Sequence, residues 1–226
     1  MVHHRIPDAP RAARLWNGAV AGLVLVAIVV QVILALRATG PAPEVWTGYL
    51  RGTHAFGRVV RVFSFFTIQS NLLCGYVALS LALDPRRDGS TWRAVRLASL
   101  FGITVTGIVY SAILADSHQP NEVSEILVNT IVHYVVPIMA VAGWFLFGPR
   151  PRIERCTVLL SLAFAVLWIG YTLIRGATAH WYPYPFTDVD ALGYGRVAFN
   201  GVLVIALLAA VAGGFAYGDR RLRSMG

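Results

Sequence analysis

Two short polar clusters interrupt an otherwise apolar sequence, and they contain the groups best suited to chemistry. The first is His133, the one ionisable side chain well inside an apolar run, in Asn129-Thr130-Ile131-Val132-His133-Tyr134-Val135-Val136-Pro137. A histidine in lipid faces protein or water rather than acyl chains. It marks either a functional group or a hydrogen bond between helices. The second cluster is Thr67, Ser70 and Asn71, spaced i, i+3, i+4 and therefore on one helix face. Asn129 and His133 are also four apart. Two polar faces on apolar helices gain most by facing each other across a bundle.

A hydroxyl beside an imidazole is the minimal nucleophile–base pair. Ser70, Asn71 or Asn129 would then donate to an oxyanion. The plainer alternative for Thr67 is a hydrogen bond back to its own helix backbone. No Asp or Glu lies deep in an apolar run to orient the base. Glu125 shares a stripe with Asn129 and His133 but stands about two turns, ~12 Å, from the imidazole. Arg58 and Arg61 precede Thr67. They either hold a substrate carboxylate or lipid phosphate or reach out to head groups.

These residues need a scaffold, and composition says which kind. Of 226 residues, 57% are hydrophobic and 13% charged, against about 25% charged in soluble domains. Six apolar runs are each near the ~20 residues that cross the hydrocarbon of a bilayer: 15–36, 62–83, 94–115, 124–147, 156–174 and 194–217. They lack the ten-residue alternation of barrel strands. The expectation is an all-α, polytopic bundle of six transmembrane helices, with residues 1–226 forming one domain. The first run is too long for an ordinary signal sequence and is expected to stay as an anchor.

The net charge of +8 comes from 19 arginines and no lysine, which excludes lysine-based mechanisms. The arginines fall between the runs, so they read as topology signals and not as a nucleic-acid surface. One side collects Arg5, Arg11 and Arg14, then Arg86, Arg87, Arg93 and Arg96, then Arg150, Arg152 and Arg155, and finally Arg220, Arg221 and Arg223. Arg37, Arg51, Arg58, Arg61, Arg175 and Arg196 are left for the other. This excess places both ends in the cytoplasm of a multi-pass protein of the cell (inner or plasma) membrane. Trp46, Tyr49, Trp181, Tyr182 and Tyr184 fit an outer aromatic belt, and Trp16, Trp92 and Trp144 an inner one.

His54, His118, His180, Asp188 and Asp190 gather on the outer side, but their spacing matches no ligand motif, so no metal and no cofactor is expected. Cys74 and Cys156 read as packing residues.

The Phe66-Thr67-Ile68-Gln69-Ser70-Asn71 segment, His133-x-x-x-Pro137 and the Tyr182-Pro183-Tyr184-Pro185-Phe186 loop resemble a known family. It is the androgen-induced gene product family of six-helix membrane proteins, with its bacterial relatives. The resemblance covers most of the chain in hydrophobic layout, through short motifs. Eukaryotic members hydrolyse fatty acid esters of hydroxy fatty acids with an intramembrane threonine and histidine, which the resemblance maps onto Thr67 and His133. The Gln69-Ser70-Asn71 neighbourhood departs from the eukaryotic motif and is closer to the bacterial branch.

The resulting expectation is an intramembrane threonine hydrolase acting on a fatty acyl ester. The competing expectations are a carrier or binding protein for a lipid or small amphiphile using the same pocket, and an assembly factor whose polar core only fixes packing.

Overall fold

The computed structural model describes residues 9–41, 48–116, 120, 122–148 and 152–222. Arg5, Trp46, His118, Arg150 and Arg223 lie outside the described residues.

Eight α-helices are described: α1 (Ala9–Arg37), α2 (Ala55–Ser64), α3 (Phe66–Leu83), α4 (Ser90–Val109), α5 (Val123–Thr130), α6 (Val136–Phe147), α7 (Arg155–Ala179) and α8 (Val189–Arg221). A π-helical turn, Tyr110–Leu114, extends α4, and a second, Ile131–Val135, joins α5 to α6. Six helical stretches are long and apolar enough to cross a membrane: Arg11–Arg37, Phe66–Leu83, Ser90–Leu114, Val123–Phe147, Arg155–Ala179 and Val189–Arg221. The chain is an all-helical, six-helix bundle. Many large apolar residues are exposed, such as Leu25, Leu79, Leu159, Leu167, Ile174 and Val202. Lipid, not water, suits such a surface.

Helix α4 packs against α3, α6, α7 and α8. One apolar cluster joins α1, α3 and the fourth span through Val24, Ala27, Ile68, Val132 and Val136. The other joins α4, α7 and α8 through Phe101, Trp168, Leu208 and Phe215. The polar residues of interest sit where these clusters meet.

The expected run 62–83 is not one helix. Phe65 is extended (φ −69°, ψ 133°), which ends α2 and lets α3 restart at Phe66. No proline or glycine marks this break; long-range partners allow it. A broken helix in lipid leaves carbonyls that must be satisfied by protein. Trp168 Nε1 donates to the Ser64 carbonyl at 3.0 Å, and Gln69 Nε2 to that of Phe63 at 3.0 Å. Thr67 is consequently the second residue of a helix instead of the middle of one.

The fourth span is also irregular, for a reason visible in its chemistry. Pro137 has no N–H to give the carbonyl four residues back, that of His133, and its ring crowds that oxygen. The π-turn Ile131–Val135 immediately precedes it. Helix α4 comes very close here: a Cβ on Gly107 would stand 3.1 Å from the His133 carbonyl oxygen and 3.3 Å from Pro137 Cβ. The two π-turns therefore lie side by side.

The aromatic belts are not as expected. Trp92, Trp144, Trp181, Tyr182 and Tyr184 are buried in protein instead of facing head groups, because helix ends and loops close over them. At the end of the bundle where α8 finishes, the buried Asp219 carboxylate accepts from the Arg152 and Ile153 amides at 2.5 and 2.8 Å, tying α8 to the start of α7. Arg93 pairs with Asp88 at 2.8 Å beside it.

Candidate active site

The sequence pair does meet. Thr67 Oγ1 lies 3.4 Å from His133 Nε2. This is long for a hydrogen bond but within the looser geometry expected before substrate tightens a site. On the other side of the ring, His133 Nδ1 is 3.1 Å from the Asn129 carbonyl oxygen. A carbonyl only accepts, so Nδ1 carries the proton and Nε2 presents its lone pair to the hydroxyl. Tyr110 stacks on the imidazole at 3.7 Å between centroids and 15° between planes. Asn129 Nδ2 in turn donates to the Tyr110 hydroxyl at 2.7 Å. Ring position and tautomer are thus set by neighbours from the first π-turn and α5.

A third side chain completes the arrangement, and sequence reasoning missed it. The sequence places Tyr184 in an outer aromatic belt. Its hydroxyl instead stands 3.2 Å from Thr67 Oγ1 and accepts from the Thr67 backbone N–H, also at 3.2 Å. One chain of donors satisfies all these contacts: Thr67 N–H to Tyr184 O, Tyr184 O–H to Thr67 Oγ1, and Thr67 Oγ1–H to His133 Nε2. Burial pushes the Tyr184 phenol above its ordinary value, with the Thr67 hydrogen bond opposing. The phenol therefore stays protonated and remains a donor. The sequence signal available was the Tyr182-Pro183-Tyr184-Pro185 stretch itself, whose stiffness suits inward insertion as well as a surface cap.

The loop carrying Tyr184 is held by close packing. Gly176 of α7 touches the Tyr182 ring so closely that an added Cβ would fall 1.9 Å from it. Trp181 Nε1 donates to the Tyr49 carbonyl at 2.9 Å. Gly176→Ala is expected to push Tyr182 off α7 and withdraw Tyr184, lowering activity and thermal stability together. A native melting curve and activity for this variant would show that Gly176 does not hold the loop.

A cavity of about 260 Å³ opens beside the three groups, lined by Thr67, His133, Tyr184, Asn129 and Tyr110 and by apolar residues including Leu34, Ile68 and Val132. Its far wall carries Ala38, Gly48, Leu50, Pro120, Glu125 and Pro183, so it faces the end of the bundle bearing those loops. Because Thr67 lies in the first turn of α3, the positive end of the helix dipole favours negative charge at this spot.

Comparison with family models, with curated proteins and with solved structures finds no match for this chain.

The other residues singled out in the sequence are placed as follows. Asn71 is fully buried and does not line the cavity; its Nδ2 donates to the Thr67 and Val132 carbonyls at 2.9 and 3.1 Å, fastening α3 to the fourth span. Ser70 is fully buried and turned toward Gly102 of α4. Asn129 lines the cavity, and its buried Oδ1 finds no partner among the described residues.

Arg58 donates to the Ala35, Leu36 and Thr53 carbonyls at 2.8 to 3.0 Å, closing the C-terminus of α1. Arg61 donates to the Tyr49, Leu50 and Arg51 carbonyls, under the rings of Tyr49 and Trp181. Both guanidiniums are thus engaged with backbone instead of with the cavity, because a turn of chain with unmet carbonyls lies within their reach.

His54 caps α2 through the Gly57 amide at 3.0 Å, and His180 pairs with Asp190 at 3.0 Å. Among the described residues no group of three His, Cys, Asp or Glu is placed to hold a metal.

Proposed function

We propose that this chain is an intramembrane threonine hydrolase of fatty acyl esters, related to the androgen-induced gene product family. The observation that carries the reading is the hydroxyl of Thr67 set 3.4 Å from His133 Nε2 beside a largely apolar cavity.

In this reading Thr67 Oγ1 attacks the ester carbonyl while His133 Nε2 takes its proton. The tetrahedral oxyanion forms at the N-terminus of α3, with the Tyr184 hydroxyl as the side-chain donor. Collapse breaks the ester C–O bond, and His133 returns the proton to the departing alcohol. Water then attacks the acyl-Thr67 ester, again giving its proton to His133. The fatty acid leaves and Thr67 regains its hydrogen. The apolar walls hold acyl chains and keep bulk water out. The arginine distribution supports a multi-pass protein of the cell membrane with both ends inside, which puts the cavity in the outer half.

A carrier for amphiphiles would use the same cavity. It has no need of a hydroxyl aligned on an imidazole lone pair with the tautomer fixed from behind, and that alignment favours hydrolysis. A fluorophosphonate probe tests the choice. Labelling of the purified protein, mapped by peptide mass spectrometry to Thr67 and absent in Thr67→Ala, is the expected result. An adduct elsewhere, or equal labelling of both proteins, would overturn the reading.

A further inference from the structure

A second recess opens between α7 and α8 and shares no lining residue with the cavity beside Thr67. It is an open groove of about 470 Å³ at the end of the bundle where α8 finishes. Arg155, Val158 and Leu159 line it from α7 at spacing i, i+3, i+4. Gly213, Ala216, Tyr217 and Arg220 line it from α8 at spacing i, i+3, i+4, i+7. Each set is one helix face, so two faces border one trough. Its α8 wall is shallow, because Gly213 and Ala216 are small, and a Cβ on Gly213 would meet nothing within 4 Å. Leu159 and Tyr217 stand exposed along it.

The carboxylates nearest these helix ends are already engaged. Glu154 pairs with Arg93 at 3.4 Å, Asp88 pairs with Arg93 and Arg152 at 2.8 and 3.4 Å, and Asp219 accepts from the Arg152 and Ile153 amides. Arg221 lies over the Tyr217 ring at 5.5 Å. Arg155 and Arg220, by contrast, make no hydrogen bond or ion pair with a described residue. A surplus of positive charge at one membrane face accounts for arginines at this end. It does not account for two that converge on one groove from different helices. Arg155 also lies in the first turn of α7, against the positive end of the helix dipole, where a cation by itself is unfavourable.

From this we infer that the groove seats an anionic phospholipid of the leaflet that meets the end of α8. Its phosphate lies between Arg155 and Arg220, and the start of an acyl chain lies along Val158, Ala216 and Gly213. From Arg220 to Gly213 is two turns of α8, about 10 Å at 1.5 Å per residue, which carries the groove from head-group level into the hydrocarbon. Guanidiniums match phosphate oxygens in geometry and charge. A zwitterionic lipid brings the same phosphate, together with an ammonium that two guanidiniums repel. The site is independent of the hydrolase reading and stands whether or not Thr67 reacts.

The test is native mass spectrometry of the full-length protein, released from a neutral detergent, with phosphatidylglycerol and phosphatidylcholine of identical acyl chains. The expected result is phosphatidylglycerol bound about tenfold or more the tighter, about three- to fivefold of this lost in Arg155→Gln or Arg220→Gln, and no preference left in the double variant. Arg86→Gln removes an exposed arginine that does not line the groove and should leave the preference intact. Gly213→Leu fills the trough with both arginines in place and should weaken both lipids. Inorganic phosphate at the same concentration should displace neither. Equal binding of the two lipids by the unaltered protein would overturn the inference without recourse to any variant. So would an unchanged preference in the double variant, an equal loss in Arg86→Gln, full binding by Gly213→Leu, or displacement by phosphate.

Discussion

Replacing His133 with glutamine is expected to lower ester turnover by about 10³-fold, within the range typical of a lost general base. That corresponds to roughly 4 kcal/mol of transition-state stabilisation. Glutamine keeps approximate size and polarity, so the helix contacts survive, but it offers no basic nitrogen to the Thr67 hydroxyl 3.4 Å away. The stacked Tyr110 and the Asn129 carbonyl hold the position in either case. The measurement is kcat on a fatty acyl ester, alongside elution volume and melting temperature in detergent. A folded His133→Gln protein within threefold of the parent would remove the imidazole from the mechanism. It would also favour the view that the polar core serves packing alone.

Tyr184→Phe is expected to cost about 10²-fold, mainly in kcat. This is the low end for losing one donor to a developing oxyanion. Only the hydroxyl is removed. The ring stays against Phe65, Trp168 and Phe186, where edge and stacked contacts hold it. Substrate binding should change little, since the hydroxyl meets charge that exists only in the transition state. If KM rises while kcat is unchanged, Tyr184 shapes the pocket and does no chemistry. If neither changes, the hydrogen bonds to Thr67 are structural.

The pairing of Thr67 with His133 was legible because polar groups are expensive in lipid and few are present. Two short polar faces in six apolar runs have little choice but to meet. The place of their meeting was not legible, because α3 begins only at Phe66 and Thr67 stands in its first turn. That break was illegible. Residues 62–67 carry no helix breaker, and the carbonyls it frees are met by Gln69 and by Trp168 about a hundred residues away.

Arg58 and Arg61 illustrate the same limit. Their type and place suited an anion, and only folding shows carbonyls of α1 and of residues 49–53 within reach. Asn71 was offered as an oxyanion donor; in the fold its two donor hydrogens go to two backbone carbonyls.

What the sequence determined by itself is the solvent and the architecture. Run length, arginine placement and scarcity of charge demand apolar helices in a bilayer, since hydropathy and helix rise are local quantities that need no partner. What tertiary structure alone decided is where α3 starts, that Tyr184 enters the site, and which polar groups remain free for chemistry. Those outcomes depend on hydrogen bonds between residues distant in the chain. In lipid each such bond must be closed by protein, so every donor that one group takes is lost to the others.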